Sequence, residues 1–111
     1  MSELAKKKCI PCEGGVDPLT EEATRKLMPE LEQDWMLIDG GRILARTWNF
    51  KNFKQTMLFV NTVADIAEEE GHHPDMTVSY NTLSLELTTH AIDGLSENDF
   101  ILAAKIDEIG K

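Results

Sequence analysis

Glu68-Glu69-Glu70-Gly71-His72-His73-Pro74-Asp75 is the stretch from which the fold can be read. It holds the end of a helix, a glycine stop, two adjacent histidines and a proline. Upstream, Asn52 is placed to cap a long helix. Phe53, Met57, Val60, Ala64 and Ala67 follow at i, i+4, i+7, i+11 and i+14, one apolar stripe of that helix. Glu68, Glu69 and Glu70 form its solvated end. Three acids there oppose the helix dipole, so this end is not arranged for stability alone. Gly71 suits the left-handed position that closes a helix. Pro74 pushes His73 toward an extended conformation, which puts both histidines on a stiff connector. Downstream, Met76, Val78 and Tyr80 alternate as a strand, and Asn81-Thr82 reads as a turn. Leu83, Leu85 and Leu87 then alternate against Ser84, Glu86, Thr88 and His90. The leucines should face helices. His90 falls at the strand end, where a bend or bulge would re-aim it.

The rest of the chain fits around this centre. Thr20 can cap a helix running to about Met28, with Glu21 and Glu22 at its positive end. Pro29 ends its regular part. Trp35 to Asp39 reads as a strand, Gly40-Gly41 as a two-residue hairpin turn, and Arg42 to Phe50 as the return strand. Leu44, Trp48 and Phe50 share a face there. Arg46 shares that parity too; its expected place is a sheet edge with its head in water, and the alternative is a reach into the site. Ser96 caps a last helix, with Asp99 in the capping-box position. Phe100, Ile101, Leu102, Ala103, Ala104, Ile106 and Ile109 make that helix apolar on more than one face, which suggests a partner surface, most simply another copy. The expected fold is therefore α+β: two layers, a four-stranded antiparallel sheet with three helices packed on one face. Residues 1–16 lack apolar periodicity, contain Gly14-Gly15, and read as a flexible N-terminal arm. Residues 17–111 form the domain.

The 111 residues make one domain with a modest core, 41% of them hydrophobic. The formal net charge is −9, from 20 acidic against 11 basic residues. That disfavours a nucleic-acid partner, because phosphate binding draws on clustered Lys and Arg. The one basic cluster, Lys6-Lys7-Lys8, lies in the arm and reads as a solubilising end. No apolar run approaches the roughly 18 residues of a membrane span, and no signal-type segment follows Met1, so the expected setting is soluble and cytoplasmic. Cys9 and Cys12, in Cys-Ile-Pro-Cys, are too few for a disulfide framework. They supply half of a structural zinc site and stand before glycines rather than at a helix start, where a redox pair usually sits. An inert arm is the expected reading, with a metal or redox role as the alternative.

His72, His73 and His90 are the only histidines. Imidazole exchanges protons near neutrality, so three of them with nearby carboxylates suit proton transfer on a neutral heterocycle. No nucleophile motif or phosphate loop accompanies them. A metal site is disfavoured, since adjacent histidines do not easily share one ion. The plain alternatives stand beside this: His90 as a polar surface residue, His72-His73 as an ordinary loop, Asp99 as a helix cap only, Glu68 as a solvated side chain.

Glu68, His72, His73, Pro74, Tyr80, His90 and Asp99, in this order and spacing, resemble the pterin-4a-carbinolamine dehydratase family. The likeness runs from about Leu19 to Ile109, and Trp48 stands where an aromatic is usual. The resemblance implies a hydro-lyase that converts 4a-hydroxytetrahydropterin to quinonoid dihydropterin, in tetrahydrobiopterin recycling, with no metal or other cofactor. It implies His72 and His90 as acids toward hydroxyls on opposite ring faces, His73 as pterin binder and base, and Glu68 and Asp99 as orienting groups. It also implies a homodimer or homotetramer. The alternative on the same fold is a non-catalytic binding protein, a dimerisation cofactor, transcriptional coactivator or assembly factor. The Cys9–Cys12 arm is outside the resemblance.

Overall fold

The computed structural model describes residues 3–9 and 17–109. Helix α1, Glu21–Leu27, starts where the Thr20 hydroxyl accepts the Ala23 N–H at 3.1 Å. A 3₁₀ turn at Met28–Glu30, carrying Pro29, ends it. Strands β1 (Met36–Ile38) and β2 (Ile43–Asn49) form one hairpin, and β3 (Asp75–Ser79) and β4 (Thr82–Leu87) another. Helix α2, Phe53–Glu70, joins them, and α3, Glu97–Asp107, closes the chain. The sheet order is β1-β2-β4-β3, antiparallel throughout. β4 thus slots between β2 and β3, the two strands that α2 connects, a split β-α-β arrangement. The expected α+β fold, with three helices over a four-stranded antiparallel sheet, is the one observed.

Period-two alternation builds the core. Leu44 pairs with Leu87, Arg46 with Leu85 and Trp48 with Leu83, all directed toward the helices. Leu83, Leu85 and Leu87 are fully buried, each worth ~1.5–3 kcal/mol relative to exposure. The other face carries Thr47, Ser84 and Glu86.

Four local expectations change. The first hairpin turns through four residues, not two: Ile38 pairs with Ile43, and Asp39, Gly40 and Gly41 all have positive φ. The second turns at Tyr80-Asn81, because Ser79 still pairs with Thr82. The buried line of α2 is Thr56, Val63 and Ala67, with Phe59 and Ile66 packed beside it. Phe53 is left 51% exposed. An aromatic cluster explains the rotation, since Phe59 lies 5.1 Å from Trp48 and 5.3 Å from Phe50, centroid to centroid. Finally, Arg46 is not at an edge. It lies on a central strand, 4.6 Å over the Trp48 ring, and donates to Asp107 Oδ1 at 2.7 Å.

The apolar surplus of α3 is covered within the chain. Residues Asn98 to Ala104 and Ile106 are buried, and the 3₁₀ turn Leu4–Lys6 packs along the helix with Leu4 in the core. Part of the stretch read as an arm is therefore docked. Cys12 and the glycines after it lie outside the described residues.

Candidate active site

The helix end behaves as its residues dictate. Gly71 sits at φ 68°, and its N–H and that of His72 both bond to the Ala67 carbonyl. This left-handed step turns the chain off α2. Pro74 then leads into β3, leaving His72 and His73 on the corner between.

At this corner His72 turns inward. Its Nε2 lies 2.6 Å from Asp99 Oδ1. Asp99 is fully buried in the first turn of α3. Its Oδ2 accepts the Thr89 hydroxyl at 2.8 Å and the Ser96 N–H at 2.9 Å, the second closing a capping box. A buried carboxylate with three donors meets the condition under which burial is tolerated. His73 turns outward, with its Nε2 2.5 Å from Glu68 Oε2 one helical turn back.

His90 arrives from the other side. After β4 the chain closes a small loop through the Thr89–Gly94 bridge, with a 3₁₀ turn at His90–Ile92 and Asp93 in the left-handed region. This pinched loop, not a bulge, re-aims His90. Its Nε2 stands 3.9 Å from Asp75 Oδ2. The loop is braced from behind: a Cβ at Gly94 would come within 2.7 Å of Pro18 Cβ, and the Leu19 N–H bonds to the Leu95 carbonyl at 2.8 Å.

His72, His73 and His90 line one cleft of about 270 Å³, together with Thr88, Thr89 and Asn98. Glu68 and Asp99 stand behind two of the rings. Tyr80 is at the far end of the β3–β4 hairpin, 65% exposed, and is not part of the cleft. A larger cleft of about 500 Å³ opens beside α1, rimmed by Thr24, Leu37, Arg42 and Gly94. It holds no histidine, and its one cation, Arg42, is paired with Asp39 and Asp93. Chemistry, not size, selects the smaller cleft. Among the described residues no group of three His, Cys, Asp or Glu is arranged to hold a metal ion.

Two supporting residues, Thr89 and Asp75, were given no role in the sequence reading. Thr89 continues the parity of Leu83, Leu85 and Leu87, so an inward hydroxyl was legible there. Asp75 was legible from register: it pairs with Glu86, which brings His90, four residues past Glu86, back toward it.

The arrangement can move protons. It offers three imidazoles, each with a carboxylate within 4 Å, one sheltered and two open to solvent. Orientation by a carboxylate selects which ring nitrogen carries the proton.

Residues 17–109 match the family model described as pterin 4 alpha carbinolamine dehydratase. A Nitrosomonas eutropha protein, provisionally named pterin-4-alpha-carbinolamine dehydratase, is 57% identical over 105 residues, 95% of this chain and 91% of its own. A Legionella pneumophila protein with the same provisional name is 46% identical, over 97% and 96% respectively. A Brucella melitensis crystal structure, of a transcriptional coactivator/pterin dehydratase, superposes with a TM-score of 0.79 at 30% identity, covering 86% of this chain and 100% of that one. A pterin dehydratase-like protein described as a RuBisCO assembly factor in the alpha-carboxysome reaches 0.59 at 22% identity, over 68% of this chain and 88% of its own, a likeness of fold alone. With the whole domain matched and half or more of its residues shared with several relatives, this chain belongs to the pterin 4 alpha carbinolamine dehydratase family.

Proposed function

We propose that the protein dehydrates a 4a-hydroxytetrahydropterin to the quinonoid dihydropterin by general acid–base catalysis. The observation that carries this reading is the convergence of three carboxylate-backed imidazoles on one cleft. The reaction removes a proton from N5 and the hydroxyl from C4a. The hydroxyl takes up a proton and leaves as water, so the change is loss of one water with no electron transfer. An acid at the hydroxyl and a base at N5 suffice. His72 and His90 reach the cleft from different elements and serve as acids on opposite ring faces. His73 binds the pterin and receives the N5 proton. Asp99 orients His72, Glu68 orients His73, and Asp75 does the same for His90. Each acid–base contact contributes roughly 10²–10⁴-fold in rate.

In this reading the protein recycles the tetrahydrobiopterin cofactor in the cytoplasm, and no described helix is long and apolar enough to cross a membrane. It works as a homo-oligomer, for which the exposed Phe53 on α2 is the supporting feature. The test is turnover of a 4a-hydroxytetrahydropterin, followed by ultraviolet absorbance, for the wild type and His73→Ala. The expected result is a large loss in the variant with the fold retained. If the wild type also runs at the uncatalysed rate, the binding-protein alternative replaces this reading.

A further inference from the structure

Glu70 is anomalous. It ends α2, where a negative charge opposes the dipole, and its side chain is only 4% exposed. A leucine at this position would avoid both costs, and buried ion pairs add little stability over apolar residues of similar volume. What a carboxylate adds is two directed contacts. Oε1 accepts the Cys9 N–H at 2.8 Å, and Oε2 lies 3.6 Å from Lys105 Nζ. Lys105, on α3, also donates to the Ala5 carbonyl at 2.9 Å. Three segments therefore meet at one carboxylate: the end of α2, the last turn of α3, and residues 3–9.

The same Cys9 reaches the site from its other side. Its thiol donates to the carbonyl of Asn98 at 3.6 Å. Cys9 thus touches the residue two before His72 and the residue one before Asp99. Burial, and then the Glu70 charge, raise this thiol to about 12. It stays protonated at neutral pH and keeps the donor that Asn98 uses.

We propose that Glu70 is a positioning residue: through Cys9 and Lys105 it clamps the last turn of α2 against α3, and so sets the contact between His72 and Asp99. The N-terminal segment is then part of the site's frame, and Cys9 serves as a hydrogen-bond donor, not as a nucleophile. The clamp itself stands on geometry alone; its effect on turnover rests on the dehydratase reading.

The test is solvent exchange of the imidazole proton shared between His72 and Asp99, measured by NMR in the wild type, Glu70→Gln and Lys105→Met. Trp35 Nε1–H, which donates to Asp107 at 2.8 Å, two residues past Lys105 in the last turn of α3, is the internal reference and reports whether that turn itself loosens. The expected result is exchange about 10-fold faster at His72 in both variants, with Trp35 unchanged. Turnover number should fall about 10- to 100-fold with KM little changed. Glu70→Gln keeps an acceptor for Cys9, so Glu70→Ala, measured beside it, should exchange faster still. Equal acceleration at His72 and Trp35, or global unfolding, would make Glu70 a general stabiliser and overturn the proposal. So would no acceleration at either. A wild type without turnover sinks the dehydratase reading and leaves the exchange measurement to decide this one.

Discussion

His72 and the Ser96 backbone hold opposite oxygens of one carboxylate, that of Asp99, at 2.6 and 2.9 Å. The group that orients a ring in the cleft also closes the N-terminus of α3. Asp99→Asn leaves one oxygen for three donors. We expect turnover to drop by about 10²-fold or more. Urea denaturation should show a loss of about 1–3 kcal/mol for the buried donor left unsatisfied.

His90→Ala separates chemistry from stability in the opposite sense. The His90 side chain is 79% exposed and its partner Asp75 stands 3.9 Å away. Stability should stay within about 0.5 kcal/mol of wild type, while turnover falls about 10²–10⁴-fold. Thermal denaturation together with the absorbance assay checks both halves. An unchanged rate would remove His90 from the mechanism.

The Arg46–Asp107 pair is a structural lock remote from the cleft. Asp107 also accepts the Trp35 indole N–H and the Glu32 backbone N–H. Burial pushes its carboxyl above the usual range despite these donors and the Arg46 charge. Arg46→Ala strands a buried carboxylate and should cost about 3–5 kcal/mol in chemical denaturation. Turnover per folded molecule should hold. A change under 1 kcal/mol, to order of magnitude, would show the pair to be dispensable.

The Cys9 thiol should resist alkylation. Held near 12, it exposes little thiolate at neutral pH, and only thiolate reacts. Peptide mapping after iodoacetamide treatment should show slow modification at Cys9, still accelerating above pH 9. The folded state binds this proton more tightly than the unfolded chain, so Cys9's contribution to stability is full below about pH 9 and is lost as pH rises toward 12. Cys9→Ser should weaken the high-pH part of this loss, measured by urea titration across that range.

Phe53 is half exposed on a stripe with Met57 and Val60. If copies associate through this side of α2, Phe53→Lys should lower the mass seen by light scattering without altering the circular dichroism spectrum. An unchanged mass would move the contact elsewhere.

Most of the fold was legible because its determinants are local. Alternation in Leu83–Leu87, the caps at Thr20, Asn52 and Ser96, and the stop at Gly71 each follow from neighbours within a few positions. What escaped depends on distant partners. The face that α2 buries is chosen by Phe59 meeting Trp48 and Phe50, which periodicity does not encode. Arg46 reads as an edge residue until Asp107, sixty-one positions on, is brought beside it. The docking of Leu4 needed the exposed side of α3 to be known first. In the cleft, spacing singles out the histidines, but Glu68 and Asp99 read equally as a solvated side chain and a helix cap, and only the family resemblance joins them to the site. Thr89 follows from the parity of the leucines before it, whereas Asp75 meets His90 only once β3 and β4 are paired.

Gly94 is not among the residues that line the histidine cleft, and the Pro18 ring leaves it no room for a methyl group. Any side chain there must shove the loop bearing His90 or the entry to α1. A mutational search for improved turnover will therefore meet a barred position that does not itself line the histidine cleft, and relief would come from a second change at Pro18, seventy-six residues earlier in the polypeptide.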